Sequence, residues 1–479
     1  MKITFLIPPA VHGRAPERLF GCNYGVYFQP NIFMLYPAAT LEQAGHAVSV
    51  IDCPVHGYSQ SWFEGFLKTD NSDIYVFYTP FLAEAVDKAA FKLVRQVMQD
   101  VVIIFFGPEP TARPENFLLD GRTFVIRGEA ETAMPELIRE LVGKRRFDKI
   151  LGLSWKKDNK LVHNPPRQPL KNLDILPLPA RHLIDRDLYY NPKLRGRPST
   201  VMLTSRGCWG RCIYCIPCSY MFAREIEGKR YFGCKPAVSL RSAKNIIKEF
   251  RQLKDEGYKS IAIIDDNFIN GKERTIEICE GIRDLGLEWG CLARADCLLD
   301  EEIVRSMAKA GCVYIDIGVE SFDQRALDYI HKDLTAEQIL TAIQLLKKYN
   351  IEPKINILFG TYPYETEADI RRTVEVLKKM NIEYVTFSVL IPHPQTEFYK
   401  IAKSNGFFTD GDFRPADPLR QATISYKYLG ARDYERLVRW AYRSYYLRPS
   451  YIWKKLRKVR SFRELFDNIV TAWNLFRRG

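Results

Sequence analysis

The sequence predicts an α/β protein: a doubly wound parallel sheet first, a partial (β/α)6 barrel second, and a helical basic tail last. Three observations predict it. Short, wholly apolar runs alternate with amphipathic stretches through the first ~145 residues. The same rhythm resumes with longer units at residues ~199–400. Lys, Arg and aromatic residues then crowd into the last stretch, 431–479. Alternation of buried strands with helices is the pattern of parallel sheets covered on both faces.

In the first region the strand-like runs are Ile3–Ile7, Ala47–Asp52, Ile74–Tyr78, Val101–Phe106 and Thr123–Ile126. Helices are expected over Leu35–Ala44, where Gly45 gives a stop, and over Ala83–Met98 and Thr132–Leu141. Such sheets bind ligands beyond the carboxyl ends of their strands. Those ends carry Pro8-Pro9, Asp52, Thr79-Pro80, Gly107-Pro108 and Arg127-Gly128-Glu129.

Residues 146–198 read as a connector, with a hairpin around Lys157-Asp158-Asn159-Lys160 and a run containing Pro165, Pro166, Pro169, Pro177 and Pro179. Residues 199–400 offer six strands: Thr200–Leu203, Ser260–Ile264, Trp289–Leu292, Val313–Ile317, Lys354–Leu358 and Tyr384–Ser388. Helices are expected near 241–256, 272–285, 300–310, 335–349 and 366–380. Reactive groups in a parallel barrel belong at the strand carboxyl ends. Residues 401–479 form the remaining helical region.

A chain of 479 residues exceeds one ordinary core and points to two or three domains. The net charge is +13, and residues 431–479 hold thirteen Lys and Arg against four Asp and Glu, so the body is near neutral. No signal peptide or membrane span is apparent, so the expected location is the cytoplasm. Eleven cysteines are too sparse for a disulfide framework and read as reduced thiols.

Four of them crowd between Cys208 and Cys218. In Thr204-Ser205-Arg206-Gly207-Cys208-Trp209-Gly210-Arg211-Cys212-Ile213-Tyr214-Cys215, three thiolates lie on one short loop after the first barrel strand. Thiolates suit iron–sulfur clusters or zinc. Three ligands leave one iron of a four-iron cluster open for the amino and carboxylate groups of S-adenosylmethionine. The competing reading is structural zinc, with Cys218 or Cys234 as fourth ligand. Cys22, Cys53, Cys279, Cys291, Cys297 and Cys312 read as ordinary thiols.

The Cys208-x3-Cys212-x2-Cys215 spacing, with an aromatic Tyr214 before the last Cys, resembles the radical S-adenosylmethionine superfamily. The resemblance implies that Cys208, Cys212 and Cys215 hold a [4Fe–4S] cluster and that Tyr214 lies near the adenine. It extends, strand end by strand end, to Asp265-Asp266-Asn267-Phe268, to Arg294 and Asp296, to Gly318-Val319-Glu320-Ser321 and to Gly360-Thr361-Tyr362-Pro363-Tyr364-Glu365-Thr366. Asp265, Arg294, Glu320 and Gly360 are thereby implied to help hold S-adenosylmethionine. Singly, a strand-end carboxylate such as Asp265 or Asp296 is as readily a helix cap. Tyr364 stands where the family often has Gly.

The first region resembles cobalamin-binding radical enzymes of this superfamily, with a Rossmann-like domain at 1–145. Gly107-Pro108-Glu109-Pro110-Thr111 resembles their G-G-P-x-x-T loop, and Arg127-Gly128-Glu129-Ala130-Glu131 their helix entry. Cobalamin is thus implied, with Thr79, Gly107, Pro108, Glu109, Gly128 and Glu129 as its expected neighbours. Asp52-Cys53-Pro54-Val55-His56-Gly57 has the wrong spacing for the D-x-H-x-x-G cobalt-ligand motif, so His56 is not assigned to cobalt.

Three readings compete for the tail: a helical lid on the barrel, a membrane-surface helix at the inner membrane, and nucleic-acid binding, which is not expected without a recognised RNA module. The leading functional expectation is C-methylation of an unactivated carbon of a lipid, tetrapyrrole or secondary metabolite, by a deoxyadenosyl radical and methylcobalamin, with a reducing electron donor. Radical cyclisation, rearrangement or C–C bond formation is the alternative on this scaffold. A metal-binding, membrane-docking interaction protein is the alternative of another class. No catalytic residue is assigned.

Overall fold

The computed structural model describes residues 1–10, 15–16, 18–19, 27–216, 219–459 and 469. The readings of Cys22 and Cys218, and that of the tail over 460–468 and 470–479, lie outside the described residues. The chain forms two compact units, one of residues 1–192, 196–208 and 216–266, the other of 193–195, 209–215 and 267–479.

In the first unit, strands β1 (Lys2–Ile7), β2 (Ala47–Asp52), β3 (Ile74–Tyr78), β4 (Val102–Phe106) and β5 (Thr123–Ile126) are parallel neighbours in the order β2-β1-β3-β4-β5. Every residue of β3 and β5 is buried, as wholly apolar runs require when helices cover both faces. The hairpin read as part of the connector belongs to this sheet. Strands β6 (Leu153–Lys157) and β7 (Lys160–His163) extend it antiparallel beyond β5. Asp158 and Asn159 hold positive φ at the turn, as a tight two-residue hairpin demands.

The same unit contains parallel strands β8 (Ser199–Met202) and β11 (Ser260–Ile263), and a short antiparallel pair, β9 (Ser205–Arg206) and β10 (Ser239–Leu240). Helix Ser219–Phe232 runs beside them, and its Ile226 packs with Phe81 of the sheet domain. Residues 196–208, which carry the root of the cysteine loop, belong to the first unit.

The second unit is built on parallel strands β12 (Glu288–Ala293), β13 (Cys312–Glu320), β14 (Glu352–Phe359) and β15 (Tyr384–Val389). Burial alternates strictly along β14 and β15. Ile355, Ile357, Phe359 and Phe387 face the helices, while Lys354, Asn356, Thr386 and Ser388 line a half-open polar face. Helix Glu367–Met380 starts with a capping box at Thr366 and Asp369.

The tail residues Ala431–Tyr446 and Pro449–Lys458 are helices. The Tyr446 hydroxyl donates to the Val385 carbonyl at 2.6 Å and accepts the Val385 N–H at 2.7 Å. The Tyr442 hydroxyl accepts the Phe387 N–H, and Tyr445 and Tyr451 donate to the carbonyls of Ile382 and Glu383. These phenols cover the outer edge of β15, which suits the lid reading. Among the described residues, no helix is long and apolar enough to cross a membrane.

Candidate functional site

The cysteine loop begins where β9 ends. In the first unit Asp265, wholly buried, accepts the Thr204 N–H at 2.6 Å and the Ser205 hydroxyl at 2.7 Å, and also bonds the Thr204 hydroxyl. Its carboxylate therefore ties the end of β11 to the strand entering the loop and is used up inside the protein. Neighbouring Asp266, half-buried, accepts the Gly207 N–H at 3.1 Å. Gly207 has φ +91°, which only glycine adopts without strain, just before Cys208.

Arg206 is 1% exposed, and its guanidinium spans Glu129 at 2.8 Å and Glu131 at 2.5 Å. Arg224 donates to the Arg206 carbonyl at 3.1 Å, and the other oxygen of Glu129 accepts the Leu170 N–H. The Arg-Gly-Glu-Ala-Glu stretch thus acts as a bracket on the root of the cysteine loop. Sequence reading named Glu129 but not Arg206, because an arginine adjacent to a cysteine motif carries no sign of burial.

The other strand ends of the first sheet are tightly knit. Thr79, fully buried, donates to Asp87 at 2.6 Å, and Arg18 pairs with the same carboxylate at 2.6 and 3.0 Å. Gly107 has φ +107°, and a Cβ there would meet the Tyr78 ring at 3.0 Å. Pro108 opens the short helix Pro108–Ala112. Thr111 of that turn accepts the Gly128 N–H at 3.0 Å. Glu109 is buried against Arg113, and burial pushes its carboxyl up to about 7.

In the second unit the reactive groups stay closer together. Cys212 and Cys215 are half-buried thiols. The intervening Ile213 is held on both sides of its backbone, its N–H by the Ile330 carbonyl and its carbonyl by the Phe398 N–H. Arg294, at the end of β12, approaches the Cys212 sulfur at 4.0 Å, pairs with Asp296 at 3.1 Å and donates to the Lys332 carbonyl at 2.9 Å. Its guanidinium also covers the Trp209 ring at 4.6 Å. Asn267, fully buried, accepts the Arg294 N–H at 3.0 Å and fixes that turn.

Glu320 ends β13 at φ +64°, after a register shift against β14 between Gly318 and Glu320. The bulge turns its carboxylate onto Lys332, 2.9 Å away and buried with it. A Cβ at Gly318 would lie 2.6 Å from the Glu320 carboxylate and 2.9 Å from the Lys332 ammonium, so the pair needs glycine there. Burial, Glu320 and the two thiols hold the Tyr214 phenol well above its ordinary range. Burial works to lower Lys332, but Glu320 and Cys212 outweigh it and hold the ammonium charged. Lys332 has no sequence signal beyond its place in His331-Lys332-Asp333.

At the end of β14, Gly360 has φ +75° and its N–H donates to Glu365 at 2.6 Å. Burial pushes Glu365 up to about 8. Tyr364 is exposed. Tyr214, Arg294 and Glu320 therefore share one neighbourhood with Cys212, whereas Asp265 serves the loop from within. Among the described residues, no three His, Cys, Asp or Glu side chains are grouped as a metal ion requires. What fits a cluster is the donor set itself: reduced, partly exposed thiols on a glycine-bearing loop, one of them beside a buried cation.

Residues 202–377 match the Radical SAM superfamily. An uncharacterized methyltransferase of Pyrococcus horikoshii is 29% identical over 467 residues, covering 96% of each chain. The anaerobic magnesium-protoporphyrin IX monomethyl ester cyclase of Rubrivivax gelatinosus is 24% identical over 384 residues, 78% of this chain and 66% of the relative. Among solved structures, the cobalamin-dependent S-adenosylmethionine radical enzyme OxsB, with aqua-cobalamin and S-adenosylmethionine bound, matches at TM-score 0.71 and 16% identity, covering 99% of this chain and 71% of that one. The likeness to OxsB is one of fold.

Proposed function

With residues 202–377 forming a radical S-adenosylmethionine domain, we propose that the chain is a cobalamin-using radical methyltransferase that alkylates an unactivated carbon of a lipid, tetrapyrrole or secondary metabolite. The observation that carries the reading is the cysteine loop set among Arg294, Glu320, Lys332 and Tyr214 at consecutive strand ends. Cys208, Cys212 and Cys215 would hold a [4Fe–4S] cluster, and Tyr214, Arg294, Glu320 and Gly360 would border S-adenosylmethionine. When bound, the cluster supplies the electron that cleaves S-adenosylmethionine, and cobalamin supplies a transferable methyl group.

The chain's own part is positioning and exclusion of water. The Arg206 bracket and Asp265 fix the loop's entry, and the Glu320–Lys332 pair keeps a charged, hydrogen-bonding edge beside Cys212. On the polar face, Lys354 pairs with Asp316 at 2.8 Å and Ser388 donates to the Ile357 carbonyl at 3.3 Å, so these side chains are held in place within the second unit. Support for cobalamin comes from the parallel sheet of the first unit and from fold likeness, over nearly the whole chain, to an enzyme solved with aqua-cobalamin.

The test is anaerobic purification with cobalamin supplied, iron and cobalt analysis, and product analysis after reduction with S-adenosylmethionine. About four irons and one cobalt per chain, deoxyadenosine release and a methylated product are expected, with iron lost in a Cys208/Cys212/Cys215→Ala triple variant. Iron with no cobalt sinks the methylcobalamin reading, and zinc alone sinks the radical one. Deoxyadenosine with an unmethylated, cyclised product would favour the second reading, which the similarity to a ring-forming cyclase supports.

A peripheral membrane contact deepens the lipid reading. Helix Pro449–Lys458 leaves Ile452, Trp453 and Leu456 between 43% and 60% exposed. Beside Trp453, a pocket is lined by Lys378, Arg448, Lys454 and Arg457. Apolar tips within a basic rim suit an anionic lipid surface. Sedimentation with phosphatidylglycerol vesicles, lost in a Trp453→Ser/Leu456→Ser variant, is the expected result, and no sedimentation of the full chain removes the idea.

A further inference from the structure

The chain leaving β14 is held from a distant part of the sequence. Gly360 has one backbone N–H and one carbonyl, and side chains take both. Its N–H donates to Glu365 at 2.6 Å, and its carbonyl accepts the Tyr426 hydroxyl at 2.9 Å. Tyr426 stands 66 residues further on, outside every motif that points to a cofactor. The packing there is close. A Cβ at Gly360 would lie 2.9 Å from Ile424 Cδ1 and 3.7 Å from the Tyr434 ring. Tyr434 is fully buried and meets the Tyr426 ring edge-on, at 6.2 Å between centroids.

The anchor is itself fixed. The Ser425 N–H donates to the Phe407 carbonyl at 2.8 Å, and the Thr409 N–H to the Thr423 carbonyl at 3.0 Å. The Tyr426 N–H closes a turn onto the Leu429 carbonyl at 2.9 Å. The Phe407 ring packs edge-on against the Tyr426 ring at 4.8 Å, and Tyr426 is buried.

The two bonds at Gly360 act on different peptide groups. Its N–H belongs to the plane shared with Phe359, and its carbonyl to the plane shared with Thr361. Holding both planes fixes φ and ψ of a residue that, at φ +75° and without a Cβ, has wide conformational freedom. A ligand seated on a loose turn must order it on binding and loses affinity by that amount; a turn already ordered does not impose the loss.

We propose that Tyr426 is a positioning residue for S-adenosylmethionine, its phenol fixing the Gly360–Thr361 peptide against which that ligand is bound. The proposal rests on the reading above that Gly360 borders S-adenosylmethionine.

The experiment is anaerobic equilibrium dialysis of the iron-loaded full chain with S-adenosylmethionine, without reductant so that the ligand stays whole. Wild type, Tyr426→Phe and Tyr446→Phe are compared per iron-loaded chain. Tyr426→Phe keeps the ring and removes only the hydroxyl, and its affinity should fall about fivefold, the loss of one buried hydrogen bond. Tyr446→Phe withdraws two bonds from Val385 of β15 in the same unit and should bind like wild type. With reductant, the KM of Tyr426→Phe for S-adenosylmethionine should rise by a similar factor, while saturated release of deoxyadenosine holds at the wild-type rate. Should Tyr426→Phe load less iron, hydrogen exchange across 360–366 of the unliganded chain decides. It should quicken in Tyr426→Phe and not in Tyr446→Phe, and unchanged exchange overturns the proposal. Equal affinity of wild type and Tyr426→Phe overturns it while leaving the functional reading intact. Equal weakening in both variants assigns the loss to general loosening of the unit and also overturns it. A wild-type protein that loads iron but binds no S-adenosylmethionine fails the functional reading itself, and is distinguishable from both.

Discussion

The two units use buried charge at their strand ends in opposite ways. In the first, Arg206 is closed by Glu129 and Glu131, and Asp265 by Thr204 and Ser205, so each charge is consumed by the protein that surrounds it. In the second, Glu320 pairs with Lys332, and Arg294 pairs with Asp296 and donates to the Lys332 carbonyl, yet these groups stay beside Tyr214 and Cys212. The first arrangement builds a frame from which a loop springs. The second keeps charged groups at the edge of that loop, where a cofactor's amino and carboxylate groups could be met. A motif shared with a family therefore locates a loop without fixing whether its charges face inward or toward a ligand.

Breaking the frame should have the largest effect. Arg206→Met leaves Glu129 and Glu131 buried without their guanidinium, and removing one partner of a buried pair costs about 3–5 kcal/mol. A thermal melt should show a marked fall, and iron loading should fall with it. If the variant melts like wild type, the bracket is not what holds the loop's root.

Lys332→Met tests the other side of the contrast. It strands the Glu320 carboxylate and carries a cost of the same order, about 3 kcal/mol. Its distinguishing readout is binding of S-adenosylmethionine to iron-loaded protein by equilibrium dialysis. We expect that affinity to drop more than tenfold in Lys332→Met, whereas properly folded, iron-loaded Arg206→Lys should retain it. Equal affinities in both would erase the distinction between frame and edge.

What could be read from the sequence follows from which signals are local. The strand runs and the Lys157–Lys160 turn were legible because periodicity and turn chemistry are properties of neighbours in sequence. That Tyr214, Arg294 and Glu320 share a neighbourhood with Cys212 followed from strand ends lying together in a parallel sheet. The role of Asp265 was not legible. A carboxylate at a strand end looks the same whether it faces a ligand or two hydroxyls of the preceding strand, and only packing decides. Lys332 and Arg206 were missed for the same reason: burial of a lone cation is set by partners far away in sequence.

Glu365 gives a smaller, pH-dependent way to sharpen the comparison. Burial raises its carboxyl from 4.5 to about 8, so the folded state holds its proton more tightly than the unfolded chain. Between about pH 4.5 and 8 the folded protein therefore binds the extra proton, and stability falls as pH rises through that window. Below it the contribution is fully present. Chemical denaturation from pH 5 to 8.5 should show that decline, and Glu365→Gln should flatten it. An unchanged slope in the variant would place the decline in another group.

The smallest effect concerns the edge strand. The Tyr446 hydroxyl serves the N–H and the carbonyl of Val385 together, standing where a further strand would pair. Tyr446→Phe keeps the ring against Tyr442, Tyr445 and Tyr451 but withdraws both bonds. A loss of about 1–2 kcal/mol is expected, since two backbone groups at a partly buried edge are left to water or to nothing. Hydrogen exchange at the Val385 amide should quicken while that at Ile357, within β14, stays slow. If the Val385 amide exchanges at the wild-type rate, the phenol is not its protection. The helix Ala431–Tyr446 would then rest on β15 through its apolar contacts alone, and the basic tail would be freer to serve a surface other than its own sheet.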